Sequence, residues 1–182
     1  PEAPTVQIEF PYLDSLKVQD QFHAAGAVEF SLPESGGRAE LASFFESGHQ
    51  AAAVFTEVPS NPLLRSPDLA GIAPLLRRRE TPLFVDDTVA TSWNVDVLRH
   101  ADAVTSSLTK TFSGEGDVAA GAVVVNPESA FADSLREELA VEESASPLFA
   151  RDAVVLERNS RHVAERVAAT DANALALFEF LR

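Results

Sequence analysis

The sequence predicts an α/β domain built on a mostly parallel sheet. Short apolar runs of strand length alternate with stretches of helical periodicity. Several of those runs end on polar clusters, the place where open parallel sheets build their sites. After about Ser129 the strand pattern stops and only helical patterns continue.

Val6 to Phe10 reads as the first strand, and Asp14 to Ala24 as a helix with Leu16, Val18 and Phe22 among its apolar positions. Ala27 to Phe30 reads as a second strand. Gly36-Gly37 break the chain before a helix marked by Leu41, Phe44 and Phe45. Ala51 to Phe55 is short and apolar, which suits a buried strand. Pro59, Pro62 and Pro67 punctuate the loop after it. Asp68 is placed to cap a helix carrying Leu69, Ile72, Leu75 and Leu76. Leu83 to Val85 forms another buried strand and runs into Asp86-Asp87. Ala103-Val104 opens one more, and Ala122 to Val125 closes the series. Phe131 to Glu143, Ala153 to Ala169 and Asn173 to Arg182 are expected to be helices. The division expected is a large α/β part over 1–145 and a helical segment over 146–182.

The chain has 182 residues and a formal net charge of −14. An acidic surface of this kind repels phosphates, so no nucleic-acid partner is expected. No window reaches the roughly 18 uninterrupted apolar residues of a membrane span, and Pro1 to Pro4 carry no secretory pattern. A cytoplasmic location is expected. With no cysteine, disulfides and Cys-based metal sites are excluded, and no metal is expected. Methionine is absent and the chain opens on a strand-like run, so an upstream segment is expected.

Three strand ends carry unusual chemistry: Glu57 to Pro62, Asp86-Asp87-Thr88, and Ser106 to Lys110. Lys110 is one of only two lysines, the other being Lys17. A lysine amine forms a Schiff base once deprotonated, which arginine cannot do. By position alone Lys110 also fits a solvated surface lysine. Its neighbours argue for a site: Ser107 and Thr109 offer hydroxyls suited to a phosphate, and Gly114 and Gly116 allow close backbone approach. Asp86 ends an apolar strand, where a carboxylate needs a positive partner; a pyridinium nitrogen is one, a helix cap or turn another. Asp87 competes for the same role, and only alternation along the strand separates the two. Asn61 fits either a plain turn or an amide donor to a ligand oxygen. Tyr12, the only tyrosine, fits either a half-buried aromatic or a ring stacked on a ligand.

Four segments together carry a resemblance: Glu57-Val-Pro-Ser-Asn-Pro62, Val85-Asp-Asp-Thr88, Ser107-Leu-Thr-Lys110 and Asp117-Val-Ala-Ala-Gly121. In that order and spacing they resemble the Cys/Met-metabolism family of pyridoxal-phosphate enzymes, whose members show E-T-P-S-N-P, V-D-N-T, S-x-T-K and D-V-x-x-G. The tail from Arg158 to Arg166, with Asn173-Ala174, resembles the family helix that leads towards a C-terminal domain. Phe10 to Ser15, Asp86 to Val89, Asn94 to Leu98, Ser106 to Gly114 and Leu156 to Arg161 look most like the fungal type of cystathionine γ-synthase. Asp87, Val89, Glu115 and Gly116 depart from the usual residues and leave the reaction within the family open.

The resemblance implies the central part of a fold-type I large domain, incomplete, with C-terminal helices. It implies pyridoxal 5'-phosphate on Lys110, with Asp86 at the ring nitrogen and Asn61 at the phenolic oxygen. Ser107 and Thr109 would lie at the phosphate and Tyr12 on the ring. It further implies cis bonds before Pro59 or Pro62, a homo-oligomer, and a γ-replacement that joins a homoserine ester to cysteine. A sister lyase activity, or a fragment that only packs against partners, are the alternatives. The family's upstream phosphate turn, its Tyr-x-Arg pair and its carboxylate-binding arginine have no counterpart in this chain.

Overall fold

Alternation at period two decides which side of each strand meets the core. The computed structural model describes residues 3–30 and 35–182. Six strands form one sheet: β1 (Thr5–Ile8), β2 (Ala27–Phe30), β3 (Ala53–Glu57), β4 (Leu83–Asp86), β5 (Ala103–Ser107) and β6 (Gly121–Val125), in the order β2-β1-β3-β4-β5-β6. The pairings from β2 through β5 are parallel, and β6 joins β5 antiparallel. The mostly parallel sheet read from the sequence is the sheet observed.

One face presents Val6 and Ile8, Val54, Leu83 and Val85, and Val104, all buried. Two helices cover it: α2 (Arg38–Glu46) with Leu41 and Phe45, and α3 (Leu69–Arg78) with Ile72 and Leu76. Asp68 caps α3 as expected, its Oδ1 accepting the Gly71 N–H at 3.0 Å. The other face carries Gln7, Phe55 and Phe84, the two rings stacked 5.0 Å apart. α1 (Leu13–Phe22) lies on that side, and its Gln19 donates to the Gln7 side-chain oxygen at 2.9 Å.

Several boundaries differ from the sequence reading. β1 stops at Ile8 instead of Phe10, because Glu9 takes a left-handed conformation, φ 65°. β3 runs two residues later than Ala51 to Phe55, because its register against β1 and β4 pairs Thr5 with Ala53 and Glu57 with Asp86. β5 extends to Ser107 because β6 pairs along its whole length. The short helix α4 (Thr91–Asn94) had no sequence signal. α5 (Ala132–Ala145) falls close to its expected place. The two last helices divide differently: α6 (Ala150–Ser160) and α7 (Val163–Leu181) break at Arg161-His162, and α7 runs straight through Asn173. The Ala- and Leu-rich sequence around Asn173 favours helix strongly enough to carry one weak residue. Among the described residues no helix is long and apolar enough to cross a membrane.

Candidate active site

Because β3 and β4 are parallel and in register, Glu57 and Asp86 stand side by side at the carboxyl edge. Each carboxylate organises a loop. Glu57 accepts the backbone N–H of Tyr12 through one oxygen and that of Asn61, at 3.3 Å, through the other. It thereby joins the β1–α1 and β3–α3 loops. Burial raises the affinity of Glu57 for its proton and the neighbouring charge of Asp86 adds to this, while the two N–H groups act the opposite way. Asp86 accepts the Thr88 N–H at 2.8 Å and faces the Thr105 hydroxyl at 3.5 Å. The Thr88 hydroxyl in turn accepts the Ser107 N–H at 2.8 Å.

These loops enclose a cavity of about 320 Å³ lined by Tyr12, Asn61, Asp86, Ser107, Thr109 and Lys110, together with Glu57, Pro59, Thr88 and Val89. All six residues singled out in the sequence therefore meet at one place. Asp86 lines it and Asp87 does not. Alternation turns Asp87 to the Val85 face, where it is fully buried and accepts the Ser92 hydroxyl at 2.8 Å. Tyr12 is 56% exposed, so its ring is available to the cavity and is not core packing. The peptide bonds before Pro59 and Pro62 are both cis. Glu57 and Thr88 were missed as site residues, although both lie inside quoted motifs. Their part is to orient backbone, which residue type alone does not reveal.

Lys110 sits in a wide five-residue turn, Leu108–Phe112, directly after β5, and interrupts it with φ −80° and ψ −123°. The turn is closed by Ser113 N–H to the Leu108 carbonyl at 2.9 Å and Gly114 N–H to the Lys110 carbonyl at 2.7 Å. The Thr109 hydroxyl accepts the Ala120 N–H at 3.0 Å and faces the Ala120 carbonyl at 3.4 Å, so it braces the turn against the start of β6. A larger groove of about 970 Å³ lies elsewhere, between Arg77, Arg99, Asp102 and Asn126. Its Asp102 binds the Leu83 N–H and the Ser129 hydroxyl, and its Asn126 binds the Leu98 and Ala101 carbonyls. Those polar groups stitch loops together and are already engaged.

A parallel sheet whose carboxyl edge gathers a lysine, an aspartate and an asparagine in one cavity is the arrangement of a cofactor-dependent α/β enzyme. Residues 7–182 match the Cys/Met metabolism PLP-dependent enzymes, and the chain belongs to that family. It is 36% identical over 178 residues to the cystathionine gamma-synthase of Neurospora crassa, which covers 98% of this chain and 28% of the relative. It is 35% identical over 178 residues to an L-2-amino-4-chloropent-4-enoate dechlorinase/desaturase of Streptantibioticus cattleyicolor, covering 97% of this chain and 35% of that one. Among solved structures it superposes on the cystathionine gamma-lyase of Lactobacillus plantarum complexed with L-serine, with a TM-score of 0.79 and 25% identity, over 100% of this chain and 47% of that one. The architecture is thus that of part of a fold-type I enzyme. The chain spans between about a fifth and a half of the length of the relatives it matches.

The cavity's donor set fits the family's cofactor. It offers one amine for an imine, one carboxylate for a ring nitrogen, one amide for a phenolic oxygen, and an exposed aromatic ring. Ser107 and Thr109 line the same cavity with their hydroxyl-bearing side chains, and the Thr109 hydroxyl is also engaged with Ala120.

Proposed function

We propose that these residues form the lysine-bearing wall of a pyridoxal-phosphate site in an enzyme that makes cystathionine from an activated homoserine ester and cysteine. The observation that carries this reading is the meeting of Lys110, Asp86, Asn61 and Tyr12 in one cavity, in a chain 36% identical to a cystathionine gamma-synthase. When bound, the cofactor supplies an electron sink for a carbanion at the substrate's α carbon. Asp86 holds the proton on the ring nitrogen, Asn61 donates to the phenolic oxygen, and Ser107 and Thr109 hold phosphate oxygens. Tyr12 covers the ring and limits water. Lys110 Nζ would carry the cofactor until the substrate's own amine takes its place, and the freed amine would then act as general base and acid, moving protons at the α and β carbons. The γ C–O bond breaks with the acyl group leaving as its carboxylate, and the cysteine sulfur bonds to the γ carbon as its thiol gives up a proton.

The expected homo-oligomer belongs to this reading. Exposed Val123 and Val124 on the edge strand and Phe178 and Phe180 on α7 support a larger assembly. The division near residue 145 is kept as well, with α6 and α7 leading towards a further domain. The 182-residue chain by itself is expected to show no turnover. In this reading the phosphate turn and the substrate-carboxylate arginine come from elsewhere, and without them orientation is lost.

The test is chemical. Borohydride added with pyridoxal phosphate traps the cofactor on its lysine, and peptide mass locates it. Label on the peptide containing Lys110, lost in Lys110→Ala, is the expected result; label on Lys17 would sink the reading. A sister lyase activity is the second reading, favoured by the likeness to the L. plantarum lyase structure. Feeding O-acetylhomoserine to the natural polypeptide with and without cysteine separates the two. The synthase forms cystathionine only with cysteine, whereas a lyase releases a keto acid without it.

A further inference from the structure

We propose that Arg166 is the positioning residue for Lys110: from α7, its guanidinium holds the turn that presents the lysine amine to the cavity. This rests on the reading of Lys110 as the cofactor lysine.

Arg166 Nε donates to the Thr111 carbonyl at 3.2 Å and Nη2 donates to the Phe112 carbonyl, the two residues that follow Lys110. Nη2 also donates to the Asn159 carbonyl at 2.9 Å, at the end of α6. One planar fork therefore ties the lysine turn to the C-terminal end of a helix. A cation is favoured there because carbonyls of a helix end lack partners of their own. An ammonium cannot reproduce this geometry, since it is a point charge without a fixed fork.

Gly114 supplies a second, independent observation. It has φ 78°, and a Cβ built on it would lie 2.4 Å from Arg166 Nε and 2.6 Å from its Cδ. The backbone after the lysine thus passes so close to the guanidinium that no side chain fits between them. The far end of the loop has its own anchor. Asn159 Nδ2 donates to the Ser113 hydroxyl and to Asp117 Oδ1, each at 2.8 Å. Loss of Arg166 therefore loosens residues 108–112 while 113–117 stay tied to α6.

A lysine that swings with its turn reaches the cofactor's carbonyl carbon in fewer of its conformations. Misplacement of about 1 Å costs on the order of a hundredfold in well-oriented reactions. Arg166 acts through the backbone of the turn, and touches neither substrate nor cofactor.

The experiment uses the natural polypeptide that carries these residues. Amide hydrogen exchange is followed first without cofactor. Pyridoxal phosphate is then added, and the rate at which borohydride-trappable label appears on Lys110 is measured. Arg166→Gln is expected to speed exchange at the Ser113 and Gly114 amides, whose acceptors are the Leu108 and Lys110 carbonyls of the loosened turn, leave the β3 and β4 amides unchanged, and slow capture by at least about tenfold. Arg166→Lys should fall between the two. Gly114→Ala should slow capture as well, and combining it with Arg166→Gln should add little, because both act at one joint. Wild-type capture rates in Arg166→Gln and Gly114→Ala overturn the proposal. So does exchange that rises equally throughout the sheet. If Arg166→Gln does not fold, Arg166→Lys and Gly114→Ala decide the matter, and wild-type capture in both overturns the proposal. Label trapped equally in Lys110→Ala would instead overturn the choice of lysine, a result on which the cofactor-free exchange does not depend.

Discussion

The two rims of the cavity solve the same problem with opposite charges. On the β3 side an anion collects backbone donors: Glu57 binds the N–H groups of Tyr12 and Asn61. On the β5 side a cation collects backbone acceptors: Arg166 binds the carbonyls of Thr111, Phe112 and Asn159. Loops at a sheet edge leave donors and acceptors without ladder partners, and one ionised side chain satisfies several at once with charge-assisted bonds. The lesson lies in reach. Glu57 is four residues from Asn61, within the same motif, and 45 from Tyr12. Arg166 is seven residues from Asn159 but 55 and 54 from Thr111 and Phe112, on a helix that lends no residue to the cavity lining.

The largest expected effect comes from removing the anion. Glu57→Ala leaves two N–H groups without their acceptor and frees both loops. A loss of about 2 kcal/mol in stability is expected, because hydrogen bonds to charged groups contribute about 1.5–3 kcal/mol each and these loops admit water. Urea unfolding monitored by circular dichroism measures it. A midpoint equal to wild type would show that the loops are held by other contacts.

Asn159→Ala probes the other rim without touching Arg166. It removes both donations to Ser113 and Asp117, and a loss of about 1–2 kcal/mol is expected for a buried amide of this kind. Asn159→Asp should be worse, since it sets a carboxylate against Asp117. Equal unfolding midpoints for the two variants would contradict the charge argument.

A smaller effect separates the rims by pH. Glu57 holds its proton more tightly when folded than when unfolded, chiefly through burial. The part of the stability linked to this proton is therefore complete below its unfolded value near 4.5 and is lost as pH rises through its raised folded value, while the hydrogen bonds to the two N–H groups remain. Glu57→Gln should flatten this fall just above pH ~4.5, and Asn159→Ala should leave it in place. Melting temperatures taken across that window compare the two slopes, and parallel curves for Glu57→Gln and wild type would refute the assignment.

Lys17→Ala should change least. Its partner Asp14 is exposed beside it at 2.9 Å on α1, and such pairs are screened by water. Neither the melting temperature nor cofactor capture should move. A change in capture would show that α1 takes part in the site.

Residue types and spacing determined the sheet's parallel character, the succession of strands, the cap on α3 and the six side chains that meet in the cavity. These were legible because they are local: apolar runs mark strands, alternation orders Asp86 and Asp87, and the motifs lie at strand ends. Tertiary structure decided what long-range pairing governs. Register moved β3 two residues along and placed Glu57 beside Asp86, and pairing with β6 lengthened β5 up to the lysine turn. The break at Arg161-His162, and with it the arrival of Arg166 behind Lys110, belongs to the packing of α7 on that turn. Neither Glu57 nor Arg166 stands out by residue type. Each matters through backbone groups brought to it by the fold, and a backbone N–H or carbonyl is the same at every position of the sequence apart from proline's missing N–H.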